Sequence, residues 1–128
     1  MRVLLDTHAV VWAADGDQRL GTAATSLLMS VNPGEALISD ITLLEIAMLV
    51  KKGRIQLAVS SKEYLRKLQR NYPLLTITSE IAALAVDLDL PQGDPFDRII
   101  VATAQHHDLL LLTRDKAITN SGLVKTAW

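Results

Sequence analysis

The stretch from Arg2 to Trp12, "RVLLDTHAVVW", decides the fold class. "RVLL" has strand character and stops at Asp6, and "THAVVWAA" continues as a turn or two of helix, so the chain opens β then α. The same alternation continues outward. "GTAATSLLMSV" reads as a helix stopped by "NPG" at Asn32 to Gly34, and "EALIS" is a second short strand. Asp40 is the expected N-cap of a helix "ITLLEIAMLVKKG" that closes at Gly53. "SSKEYLRKLQRN" opens on serine caps and has the pattern of a basic amphipathic helix, followed by a strand "PLLTIT" and a helix "SEIAALAVDLDL". After the loop "PQG" come a helix "DPFDRIIVATAQHHD", a strand "LLLLT", and a tail that holds a short helix and a last strand around "LVKTA". Regular alternation of this kind predicts an α/β protein with a central parallel sheet covered by helices on both faces, residues 1–128 forming one domain without linker or repeat.

Composition agrees. Hydrophobic residues make up 49% of the chain and aromatics only 4%, so the core is expected to be layers of Leu, Ile, Val and Ala. A net charge of -1 gives no global sign of nucleic-acid binding. Positive charge is local instead: Lys51, Lys52, Arg54, Lys62, Arg66, Lys67 and Arg70 face only Glu63 in that region. Without cysteine there is no disulfide framework, thiolate zinc site or cysteine nucleophile. The first residues lack a signal-peptide pattern, and no apolar run reaches the roughly 18 residues of a membrane span, so a soluble cytoplasmic protein with no membrane partner is expected.

In an open parallel sheet, function gathers beyond the carboxyl ends of the strands. Asp6 ends the first strand and Asp115 lies two residues past "LLLLT", so both reach that edge, either as helix caps or as site acids. From Ile41 to Val50 only Thr42 and Glu45 are not hydrophobic. A helix apolar nearly all round is expected to be buried, and an unpaired carboxylate there costs several kcal/mol or becomes neutral. Glu45 therefore needs a cation, either an arginine or a metal ion. Asp97 belongs to the start signal "DPFDR", with Asp94 as N-cap and Pro95 first in the helix, a placement the helix dipole favours on its own. Clustering alters the weighing. Two carboxylates about 4 Å apart repel by roughly 4 kcal/mol at an effective dielectric of 20. Asp6, Glu45, Asp97 and Asp115 converging at one crevice require a compensating charge, and Mg²⁺ or Mn²⁺ suits an all-oxygen set better than zinc does. Such an ion can activate water for in-line attack at phosphorus.

"LLDTHAVVW", "LLEIAMLVKKGRI", "DPFDRIIVATA" and "LLLLTRDKAI" together resemble the PIN-domain ribonucleases, and in particular the VapC toxins of prokaryotic toxin–antitoxin pairs. The likeness runs from Arg2 to about Ile118 in the same order and spacing. It implies a PIN-like three-layer α/β/α sandwich of about 4–5 short parallel strands, Mg²⁺- or Mn²⁺-dependent cleavage of RNA, homodimerisation, and neutralisation by a cognate antitoxin. Carried over by position, the family's catalytic and metal-holding acids fall on Asp6, Glu45, Asp97 and Asp115. Asp94 has no place in the general pattern, although VapC-like relatives of this branch often carry it. Thr7 and Thr113 look like groups that hydrogen-bond a metal-held carboxylate or water, with Asp94 beside them.

Arg98 and Arg114 flank Asp97 and Asp115 and are the candidate phosphate contacts, with an internal partnership to the acids as the other reading. Residues Lys62 to Arg70 read as a solvated face, or as a surface for RNA or an acidic antitoxin segment. His8, His106 and His107 are expected to be surface or N-terminal-helix residues, since a metal-activated water needs no separate base. Trp12 follows "AVV" and belongs to a core or a dimer interface, Trp128 could stack on a base, and Asp87 and Asp89 are loop-edge charges. A non-catalytic PIN-like module that binds RNA or protein is the competing function. A receiver-type phosphoacceptor would need paired acids after the first strand, where "VLLDTH" has one, and a dinucleotide site would need a Gly-rich turn there.

Overall fold

Val3, Leu4 and Leu5 form strand β1 (Val3–Leu5), and their side chains alternate between two cores as the period of a strand requires. Val3 and Leu5 face one side of the sheet, and Leu4 faces the other. The computed structural model describes residues 1–91 and 94–128, so Gln92 and Gly93 of the expected "PQG" loop lie outside the described residues. The elements follow in order: α1 (Thr7–Asp15), α2 (Thr22–Ser30), β2 (Ala36–Ser39), α3 (Asp40–Lys51), α4 (Ser61–Asn71) and β3 (Leu74–Leu75). Then come α5 (Ser79–Asp87), α6 (Pro95–His106), β4 (Leu110–Leu112), α7 (Lys116–Ser121) and β5 (Thr126–Ala127).

The strands form one five-stranded parallel sheet in the order β3-β2-β1-β4-β5. β1 is central, with Leu4 level with Leu37 of β2 and Leu111 of β4. One face packs Val10, Val11 and Trp12 of α1, Ala24 of α2, Ile46 of α3 and Leu68 of α4. The other packs Ile81 and Ala85 of α5, Ile100 to Ala102 of α6 and Ile118 of α7. The result is the three-layer α/β/α sandwich expected from the alternation, and Trp12 is core, with only 4% of its surface exposed.

Local differences from the sequence reading have physical causes. The strand expected over "PLLTIT" shrinks to Leu74–Leu75, because β3 is an edge strand paired only with β2 and Thr78 already caps α5. "LVKTA" likewise shrinks to Thr126–Ala127 on the opposite edge. Ser39, not Asp40, caps α3, its hydroxyl accepting from the Ile41 N–H at 3.2 Å, while Asp40 accepts from Ile77 N–H and ties down the exit from β3. Gly53 closes α3 as expected, at φ 75°, a left-handed turn that a side chain would strain. The expected burial of α3 all round is wrong: only Thr42 and Ile46 are fully buried, and Leu44 is 53% exposed. Ile46, with Leu43 and Val50, packs into one core and Ile41 against the other, while Leu44 and Met48 remain exposed.

Candidate active site

The strand order reverses at β1, with β2 on one side and β4 on the other, so the crevice of this sheet opens at their carboxyl ends. Asp6 leaves β1 at that point. Its N–H continues the ladder to the Leu112 carbonyl (3.0 Å), and its Oδ1 accepts from the Thr7 N–H (2.7 Å) as the N-cap of α1. Its Oδ2 accepts from the Thr113 hydroxyl at 2.6 Å. That hydroxyl oxygen also accepts from the Asp115 N–H (3.1 Å), so one side chain ties the acid after β1 to the loop after β4. Asp115 caps α7 through the Ile118 N–H at 3.0 Å.

Glu45 projects from the second turn of α3, and its Oε1 accepts from the Thr7 hydroxyl at 2.5 Å. Thr7 Oγ1 also lies 3.3 Å from Thr42 Oγ1. A hydroxyl has one proton, so with Glu45 ionised and the Thr7 proton engaged, Thr42 must be the donor in that pair. The three groups form a relay that fixes the Glu45 carboxylate from behind. The start of α6 divides its labour. Asp94 caps it by accepting from the Phe96 N–H (2.9 Å), with Pro95 at the first helical position, and the Asp97 carboxylate makes no hydrogen bond among the described residues.

These acids surround a cavity of about 270 Å³ lined by Asp6, Glu45, Asp94, Asp97 and Asp115, with Thr113, His8, Arg114 and Trp128 at its walls. Asp94 is thus a fifth acid of the cavity as well as a cap. Burial raises the Asp97 carboxyl to about 7, and repulsion from Asp6, Asp94, Asp115 and Glu45 adds to it. Burial also raises Asp6, against the hydrogen bonds from Thr113 and Thr7, and raises Glu45, against Thr7, with Asp6 and Asp94 adding repulsion. Within the described residues the salt bridges are Met1–Glu35 and Arg19–Asp17, so no lysine or arginine is ion-paired with an acid of the cluster. Nor do any three of the acids close to the spacing of a finished ligand set. They face one another across open space, as hard oxygen donors with no thiolate. That set fits a hard divalent cation and does not fit zinc in a closed site.

The two arginines part company. Arg98 does not reach the cavity: its guanidinium donates to the carbonyls of Ala85 (3.0 Å), Leu88 (2.9 Å) and Leu90 (3.0 Å). It therefore holds the chain leaving α5, and the expected phosphate contact is corrected, because one turn along α6 from Asp94 it points to the α5 side. Arg114 lines the cavity, with its guanidinium over the Trp12 ring at 4.4 Å.

Three further groups belong to the site: His8 and Trp128 at the cavity wall, and Thr42 behind Glu45. His8 belongs to the first turn of α1, two residues after Asp6, and that spacing was its signal. Thr42 lies one turn before Glu45 and so on the same helix face, which was also legible. Trp128 reads from the sequence as an aromatic that could stack on a base, but nothing local places it at this cavity. It arrives from the far end of the chain, with its carbonyl accepting from Ala23 N–H (3.2 Å) and its ring set edge-on to Trp12 at 5.8 Å.

The sequence matches the PIN domain family over residues 3–121. It is 37% identical over 117 residues to ribonuclease VapC22 of Mycobacterium tuberculosis, covering 91% of this chain and 88% of that protein. The structure resembles a toxin–antitoxin complex chain from Klebsiella pneumoniae at 27% identity and a TM-score of 0.70, with 98% of both chains covered. It also shares the fold of DNA-bound VapBC from Salmonella typhimurium, at 17% identity and a TM-score of 0.74 over 99% of this chain and 97% of that one.

Proposed function

The chain belongs to the PIN-domain family, on its VapC branch, and from that premise we propose that it is a metal-dependent endoribonuclease, the toxin of a toxin–antitoxin pair. One observation carries the reading: five carboxylates meet at the switch point of the sheet, none of them ion-paired to a lysine or arginine among the described residues, and their mutual repulsion helps lift Asp97 to about 7. Asp6, Glu45, Asp97 and Asp115 would hold Mg²⁺ or Mn²⁺. When bound, the ion supplies positive charge for the phosphoryl transition state and activates the attacking water.

The chain's own residues do the rest. Thr113 holds the Asp6 carboxylate and the Asp115 loop in one arrangement, and Thr7 with Thr42 holds Glu45, so these acids are oriented by hydroxyls from behind. Asp97 must lose its proton to serve, which makes the site weaker below about pH 7. Arg114, held over Trp12 at the cavity wall, is the cation placed to take a phosphate oxygen of the RNA. The basic face of α4 and the exposed apolar stripe of α3 are surfaces for an antitoxin and a second copy of the chain. No helix among the described residues is long and apolar enough to cross a membrane, in keeping with a cytoplasmic site of action.

Purified protein should cut an RNA pool with Mg²⁺ or Mn²⁺, stop in EDTA, and lose cleavage in Asp6→Asn and in Asp97→Asn. If both variants cut as well as the parent, the site assignment is wrong. If the parent neither binds the metals nor cuts RNA, the non-catalytic interaction module replaces the enzyme.

A further inference from the structure

The acid cavity continues into a second, open groove of about 360 Å³ along the β4–α7–β5 edge, with which it shares Thr113, Arg114 and Trp128. Beyond that junction the groove is lined by Lys116, Thr119 and Asn120 of α7 and by the end of β5, and no acidic side chain lines it. We infer that this groove carries the single-stranded RNA on one side of the scissile phosphate, with Lys116 and Asn120 on the backbone and Trp128 as the platform for the adjoining base; this rests on the ribonuclease reading above.

Three features carry it. The first is continuity: a strand whose phosphate lies among the acids and Arg114 has a path along this edge past no acidic side chain. The second is chemistry. Lys116 and Asn120 are exposed, and their side chains make no hydrogen bond or ion pair among the described residues, so their donors are free for phosphate oxygens. The third is the aromatic at the bend. Trp128 is half-buried and is braced by its edge contact with Trp12 and by its carbonyl bond to Ala23, which is the setting of a stacking platform and not of a mobile tail. The Trp12 ring meanwhile carries Arg114 on it at 4.4 Å, setting a cation at the mouth of each cavity. Gly21 makes room for the arrangement, because a Cβ there would lie 2.4 Å from the Trp128 carbonyl carbon.

The test is binding of a labelled single-stranded RNA oligonucleotide in EDTA across a salt series, together with cleavage in Mg²⁺. Lys116→Glu should weaken binding about tenfold near 0.1 M salt, and loss of its one phosphate contact should lower the slope of log K against log salt by about 0.7. Asn120→Ala should weaken it less, without changing the slope, and Trp128→Ala by about tenfold. Lys125→Glu removes the same charge from the same edge of the sheet but lies outside the groove, and should bind as the parent does. Equal behaviour of Lys116→Glu and Lys125→Glu overturns the groove, since the effect would then be general attraction. A parent that cuts RNA while Lys116→Glu binds and cuts equally well overturns the groove alone. A parent that neither binds nor cuts RNA overturns the ribonuclease reading and the groove with it.

Discussion

Asp97→Asn should make the metal-free protein more stable at pH 8, although it removes a residue of the proposed site. The carboxyl moves from 3.8 to about 7 on folding, so the folded state holds its proton more tightly than the unfolded chain does. For an acid raised in this way the penalty is absent below pH 3.8, grows as the pH rises through the window, and is fully present above about 7. At about 1.4 kcal/mol per pH unit the full penalty is about 4 kcal/mol. Solvent at the mouth of the cavity screens about half of it, which leaves about 2 kcal/mol. Asparagine carries no charge and escapes this. The expected gain is about 2 kcal/mol at pH 8, or about 6–8 °C in Tm for a domain of this size, falling to about 0.5 kcal/mol at pH 4.5. The assay is urea and thermal unfolding of both proteins in EDTA at the two pH values. Excess Mg²⁺ should then raise the Tm of the parent and leave the variant nearly unmoved. A variant no more stable than the parent at pH 8, or a gain independent of pH, would refute the argument that crowded carboxylates destabilise the empty site.

Arg98→Ala should cost about 2–3 kcal/mol of stability in a denaturant titration, because the carbonyls of Ala85 in α5 and of Leu88 and Leu90 beyond it lose a charged donor, and cleavage per folded molecule should stay within about twofold. Loss of cleavage at unchanged stability would return Arg98 to the substrate. Asp94→Ser should keep most activity, since serine also caps α6, whereas Asp97→Asn loses it with the fold intact; equal losses in a cleavage assay would place Asp94 among the metal-holding acids. Gly21→Ala should destabilise by about 1–3 kcal/mol and displace Trp128, read as a change in the near-ultraviolet circular dichroism of the Trp12–Trp128 pair. An unchanged spectrum would show that the close approach relaxes elsewhere.

The order of elements, the parallel sheet and the start of α6 at "DPFDR" were legible in the sequence because they rest on local physics: period, capping and glycine or proline punctuation act over a few residues. The acids were legible for a related reason. Asp6 and Asp115 end strands, Glu45 breaks an apolar helix, and the carboxyl ends of parallel strands must share one edge. Edge strands were read too long, since pairing on one side only sets how far β3 and β5 extend. Distant contacts decided the rest. Arg98 and Arg114 each adjoin an acid in the sequence, yet one holds carbonyls at and beyond the end of α5 and the other lies on Trp12 at the cavity. α3 read as buried because composition reports how apolar a helix is and not how many neighbours the fold provides. The pKa of Asp97 has the same origin: its neighbours in the chain set an ordinary helix start, and burial with four carboxylates from β1, α3, the loop before α6 and the loop after β4 makes it a group poised near neutrality.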